Sequence, residues 1–120
     1  MKIAIFIADE GYGHAMRQKN IIHELIDHIP FVEITLYGKD KIDILIDEFG
    51  SKISYVDLYS YVITMKDSLG NLDNNGTKEC FQNWYKKREL WIETTLKIID
   101  PNTNLIISDS VPQVSQVAKQ

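Results

Sequence analysis

Cys80 is the only cysteine among the 120 residues of this chain. No internal disulfide can form, which excludes the small disulfide-stapled folds of secreted proteins. Cys80 sits between Glu79 and Phe81 in a stretch that reads as helix, and packing is its expected role, because buried thiols are usually inert. Long apolar runs are also missing. The three short ones, residues 3–8, 42–46 and 105–107, fall far below the roughly 20 residues that span a bilayer. There is no excess of basic charge. Thirteen Lys and Arg stand against 17 Asp and Glu, a net charge of −4, without the clustered basic footprint of a non-specific nucleic-acid binder. No nucleic-acid partner is expected. The amino terminus lacks the form of a signal peptide, since Met1-Lys2-Ile3 enters a strand pattern and then meets Asp9 and Glu10, so a cytoplasmic location is expected. Internal repeats and low-complexity segments are absent. Asn75-Gly76-Thr77 fits a glycosylation acceptor but reads more simply as a turn.

What is present is enough for one domain with a core: 44% of the residues are hydrophobic, in a chain of ordinary domain size. Residues 3–8 form a continuous apolar run, as expected of a parallel strand buried on both faces. A two-glycine loop follows, then a helix over residues 14–28. Ile21, Ile22, Leu25, Ile26 and Ile29 recur there at helical spacing, opposite Lys19, Glu24 and Asp27. Pro30 ends it. Residues 32–37 fit a second strand, residues 41–49 a helix stopped by Gly50, and residues 53–58 a third strand. This alternation predicts an α/β fold: a Rossmann-like, open parallel sheet with helices on both faces.

The middle is less regular. Residues 59–76 read as an excursion partly ordered by Tyr59, Tyr61 and Met65, and loops of this length are often functional. Thr77 is the expected N-cap of a long helix over residues 78–99, with Phe81, Trp84, Tyr85, Arg88, Ile92, Leu96 and Ile99 near one face. Residues 105–107 make a fourth strand, and Pro112 opens a helix running to Gln120. The chain stops inside that helix, before the strand the pattern calls for next. The domain, residues 1–120, is therefore expected to be truncated at its carboxyl end.

Ligands of open α/β sheets bind at the carboxyl ends of the strands. Two loops with polar side chains are expected there, residues 9–17 after the first strand and residues 108–110 after the fourth, facing one crevice. Gly11-Tyr12-Gly13-His14-Ala15-Met16-Arg17 carries the densest signal. Its glycines permit a tight turn and close approach of a ligand, and the helix start favours an anion. Met16 stands where a dinucleotide fingerprint needs its third glycine, and no Gly-Lys-Ser/Thr closes a P-loop. No bound cofactor is expected. His14 is the candidate base, able at neutral pH to take a proton from a hydroxyl, with Asp109 fixing its tautomer. The plainer reading of His14 is a helix-start histidine bonded to a carbonyl. Arg17 could meet phosphate or pair with Glu10. His23 and His28 lack trustworthy metal-ligand spacing, and no metal site is expected. Trp84, Tyr85 and Trp91 read as packing residues, and Lys86-Lys87-Arg88 as a solvated helix face.

Gly11-x-Gly13-His14-x-x-Arg17 after a short first strand resembles the opening of GT-B glycosyltransferases. The similarity is to the branch that includes the N-acetylglucosaminyltransferase of lipid II synthesis, and to the related domain that begins plant arabinose kinases. A second stretch, Leu105-Ile106-Ile107-Ser108-Asp109-Ser110-Val111-Pro112 ahead of Ala118, is similar to the same family's fourth-strand region. Trp91 and the Asp100-Pro101 turn also fit, so the resemblance covers nearly the whole chain. It implies the acceptor-side half of a two-domain enzyme whose donor-binding domain is absent from these residues. It implies transfer of a sugar from a nucleotide-sugar donor to a glycan, lipid or small-molecule acceptor, with no bound metal in many members. His14 would be the base and Asp109 its support. Gly11, Tyr12, Gly13, Arg17, Ser108 and Ser110 would contact substrate, with the glycines near the donor diphosphate. The family leaves room for peripheral membrane association of the full protein. Two alternatives share the motif: a UDP-sugar hydrolase of GT-B-like fold, in which the histidine helps activate water, and a non-catalytic glycosyltransferase-like binding domain.

Overall fold

The computed structural model describes residues 1–60 and 64–120. Tyr61, one of the residues expected to order the middle excursion, lies outside them. The elements run β1 (Lys2–Ile7), α1 (Gly13–His28), β2 (Glu33–Gly38), α2 (Asp43–Phe49), a 3-10 turn (Gly50–Lys52), β3 (Ser54–Asp57), α3 (Asn74–Ile98), β4 (Leu105–Asp109) and α4 (Val114–Val117). The four strands form one parallel sheet in the order β3-β2-β1-β4. The chain thus winds outward from β1 to β3, then crosses to the far side of β1. That reversal, between β1 and β4, is the topological switch point where open α/β sheets open a crevice at their carboxyl ends.

The apolar run in β1 is continuous because each face of the strand has its own core. Ile3, Ile5 and Ile7 point to one side and pack with Ala15 and Ile22 of α1, Leu36 of β2, and Leu45 and Phe49 of α2. Ala4, Phe6 and Ala8 point to the other and meet Trp91 and Ile92 of α3, and Val111, Val114 and Val117. Phe6 stacks on Tyr37 at 4.5 Å between ring centroids and lies 6.1 Å from Trp91. Trp91 Nε1 donates to the Tyr59 carbonyl at 3.0 Å. Truncating Phe6 to alanine in so closed an environment costs about 3–5 kcal/mol.

Three local expectations are corrected. The N-cap of α3 is Asp73, not Thr77: the Asp73 Oδ1 accepts from the Gly76 amide at 2.9 Å, and α3 starts at Asn74. Thr77 Oγ1 instead accepts from the Met65 amide at 2.9 Å, holding the excursion against the first turn of the helix. The expected apolar face of α3 holds in its second half, where Ile92, Leu96 and Ile99 pack on the core, and fails in its first. Trp91, Ile92 and Thr95 are buried, whereas Phe81 and Tyr85 are exposed. The reason is length, since 25 residues of helix extend about 38 Å while a six-residue strand covers about 20 Å, so the first half of α3 overhangs the sheet. Finally, α4 is only Val114–Val117. Ser115 bonds to the Pro112 carbonyl and Gln120 to that of Val117, three residues back in each case, so the expected α-helix over 112–120 is 3-10-like at both ends. Gly50 stops α2 as expected, with φ 51°, a conformation that favours glycine. No helix among the described residues is long and apolar enough to cross a membrane.

Candidate functional site

β4 is in register with β1 so that Asp109 lies beside Ile7, and the Ala8 amide donates to the Asp109 carbonyl at 3.1 Å. Side chains alternate along β4. Ile107 packs on the α1 side of the sheet and Ile106 on the α3 side, so Asp109, two residues past Ile107, points toward α1. From α1 three side chains come to meet it, at positions 14, 17 and 18. Spacings of three and four residues put them on one face of a single helical turn.

His14 Nδ1 lies 2.7 Å from Asp109 Oδ1. Gln18 Nε2 donates to Asp109 Oδ2 at 2.8 Å, and Arg17 Nε lies 3.5 Å from the same oxygen. Only 5% of the Asp109 side chain is exposed, against 18% for His14 and 61% for Arg17. Burial pushes the Asp109 carboxyl up. The hydrogen bonds from Gln18 and His14 and the positive charges of His14 and Arg17 outweigh it, and the carboxyl is held below its ordinary value. It is therefore ionised at neutral pH and can only accept hydrogen bonds. His14 must donate to it through Nδ1–H, and in the neutral ring Nε2 then carries the free lone pair of a base.

The loop in front of His14 is shaped for a tight turn. Gly11 adopts φ 68°, the left-handed region that glycine enters without penalty. A Cβ placed on Gly11 or Gly13 would meet nothing within 4 Å, so the space before the loop is open. Helix α1 begins at Gly13 without a side-chain cap. Tyr12 turns away from the dyad: its hydroxyl donates to Asp43 Oδ2 at 3.3 Å, and Lys41 Nζ lies 4.9 Å from its ring centroid. Ser108 uses its hydroxyl to donate to the Val111 carbonyl at 2.9 Å, closing the turn after β4. Ser110 is exposed with φ 61°. His14 and Arg17 thus both meet Asp109, Gly11, Gly13 and Ser110 flank them in sequence, and Tyr12 and Ser108 are engaged elsewhere. Arg17 does not pair with Glu10, whose carboxylate takes the Thr64 hydroxyl.

Two residues of this region were not singled out by the sequence. Gln18 is 3% exposed. Its signal is its place on the core face: stepping back four residues from Ile22 gives Gln18, and three more give Ala15, and all three are buried. A polar side chain at such a position needs a partner. Its Nε2 has Asp109, while its Oε1 has no partner among the described residues, an arrangement that costs about 1–3 kcal/mol. Asp9 is the second. Its Oδ1 accepts from the Lys39 amide at 3.1 Å, and its Oδ2 from the Ser60 amide at 2.7 Å and the Ser60 hydroxyl at 2.9 Å. It ties the carboxyl end of β1 to the loops that follow β2 and β3.

Elsewhere, His23 Nε2 lies 2.8 Å from Glu48 Oε1, and His28 Nδ1 donates to the Glu24 carbonyl at 3.0 Å. Among the described residues no group of three or more His, Cys, Asp or Glu is placed to hold a metal ion. A cleft of about 370 Å³ between α3 and α4, lined by Trp84, Arg88, Pro112 and Gln113 among others, is lined by neither His14 nor Asp109. No family model, curated protein or solved structure matches the chain.

Proposed function

We propose that this chain is the acceptor-side domain of a cytoplasmic glycosyltransferase of the GT-B kind, with His14 as its base. The observation that carries the reading is the pairing of a buried, ionised carboxylate with a histidine at the switch point of the sheet, Asp109 Oδ1 to His14 Nδ1 at 2.7 Å. This leaves the other imidazole nitrogen free to accept a proton from an acceptor hydroxyl. As that oxygen bonds to the anomeric carbon of the donor, the bond to the leaving phosphate breaks, the nucleotide departs with the electron pair, and the proton ends on His14 Nε2. The Gly11–Gly13 turn and Arg17, which is largely exposed beside Asp109, suit the diphosphate. An open loop at the carboxyl end of the sheet fits a site completed by a donor-binding domain outside these residues.

The test is made on the intact protein with a panel of nucleotide-sugars, measuring released nucleoside diphosphate with and without hydroxyl acceptors. Acceptor-dependent release is expected, and His14→Ala should lower it by roughly 10²–10⁴. Equal nucleotide-sugar cleavage without an acceptor would replace the transferase by a hydrolase using the same histidine on water. Binding of a nucleotide-sugar with no turnover would leave a binding domain and end the catalytic reading.

A further inference from the structure

The carboxylate of Asp109 has two oxygens, and α1 addresses both. His14 takes Oδ1, while Gln18 and the more distant Arg17 share Oδ2. Only one of the two on Oδ2 is shielded from water: Gln18 is 3% exposed, whereas the Arg17 side chain is 61% exposed. The orientation of the Gln18 amide is dictated chemically. Its oxygen and the carboxylate are both acceptors, so the Nε2 must face Asp109, and Oε1 is left buried without a partner among the described residues. A Leu or Met between Ala15 and Ile22 would fill the same place on the core face with no buried polar atom to satisfy. Packing therefore does not account for an amide here, but the second oxygen of Asp109 does.

We propose that Gln18 is a positioning residue of this site: it holds Asp109 Oδ2 so that Oδ1 keeps the proton of His14 on Nδ1 and leaves Nε2 as the base. Without it, Oδ2 retains only the exposed Arg17 at 3.5 Å. The carboxylate can then rotate, and the imidazole can revert to the Nε2–H form that predominates in free histidine. Loss of the right tautomer disables a histidine base even where the geometry survives. This inference rests on the reading of His14 as a base.

The experiment is performed on the intact protein with isotope-labelled histidine, comparing wild type with Gln18→Met by the nitrogen chemical shifts of His14 at neutral pH. In the wild type Nδ1 should carry the proton. In the variant the two nitrogens should move toward a mixture of tautomers. Turnover should fall about 10- to 100-fold, as for other partners that orient a functional histidine. The donor KM should stay within about twofold, since no substrate contact is removed. Unchanged His14 shifts and turnover in Gln18→Met would overturn the role of Gln18 and leave the base intact. A wild-type His14 protonated on Nε2 would instead sink the base reading, and this inference with it. Gln18→Ala removes the amide donor and adds no bulk to the core face. If Gln18→Met fails to fold, wild-type shifts and turnover in Gln18→Ala overturn the proposal equally well, and a tautomer mixture supports it.

Discussion

Asp9 and Asp109 stand at the carboxyl ends of neighbouring strands, and both are buried. What differs is the kind of group each one holds. Among the described residues Asp9 accepts only from backbone amides and one serine hydroxyl, those of Lys39 and Ser60, groups that do not titrate and whose positions are set by the ends of β2 and β3. Asp109 accepts from side chains, among them an imidazole that can gain and lose a proton and a guanidinium that reaches solvent. The first carboxylate fastens loops together, while the second is coupled to a proton. Burial and position are shared, so neither sets the carboxylate of the proposed site apart from the other. The distinction lies in whether its partners can change state.

The largest effect expected from this contrast is on turnover. In the intact protein His14→Ala and Asp109→Asn should each reduce the rate by roughly 10²–10⁴. An asparagine can satisfy both neighbours, with its oxygen toward Gln18 and its amide toward His14, but only by forcing His14 to accept on Nδ1. A normal rate in Asp109→Asn would break the comparison at its functional end. Next comes stability at the other aspartate. Asp9→Ala strands the Lys39 and Ser60 amides, and unfolding free energy should drop by about 3 kcal/mol in denaturant titration. Asp109→Asn, with every partner still bonded, should stay within about 1 kcal/mol of wild type. If the two losses came out equal, the division between fastening and chemistry would fail.

Asp73 offers an intermediate case at the far end of α3. As an N-cap its replacement by alanine should cost about 1 kcal/mol, read as a small shift in the denaturation midpoint with turnover unchanged. The smallest expected effect is on pH dependence. The folded-state value of the Asp109 carboxyl lies below its ordinary one. Its contribution to stability is therefore fully present above the ordinary aspartate value of about 3.9 and is lost as pH falls from there through the lower folded value. Urea midpoints followed on acidification should decline slightly less for Asp109→Asn than for wild type. Identical acid limbs would mean that Gln18, His14 and Arg17 do not hold the carboxyl down.

Much of this molecule could be read without coordinates where the signal is local. The run Ile3 to Ala8 announced a strand buried on both sides, because only a central parallel strand has two cores to face. Gly50 marked the stop of α2 through the backbone angle it alone adopts easily. Thr77 was the wrong cap, because Asp73 and Thr77 both precede the apolar stretch and only the path of the excursion, with the Met65 amide on Thr77, selects between them. The aromatic face of α3 was misjudged for a similar reason. Helical spacing says which residues share a face, but it does not say where along its length the helix leaves the sheet.

The same boundary runs through the candidate site. Sequence by itself determined that a glycine turn would follow the first strand, that His14 would stand at a helix start, and that an alternating chain of this length would fold as a parallel α/β sheet. These follow from torsional preference and hydrophobic period, which act over a few residues. The pairing of His14 with Asp109 was expected from the place of their two loops at the switch point, but no local signal chooses Asp109 over Asp9, and that choice was made by the tertiary structure. The pairing spans 95 positions in the chain and depends on β4 crossing to the far side of β1 in one register. Asp9 is only five positions from His14, yet it is drawn away by amides that β2 and β3 deliver. Gln18 belongs to the same class: a glutamine on an amphipathic helix has no meaning until the strand behind it supplies a carboxylate.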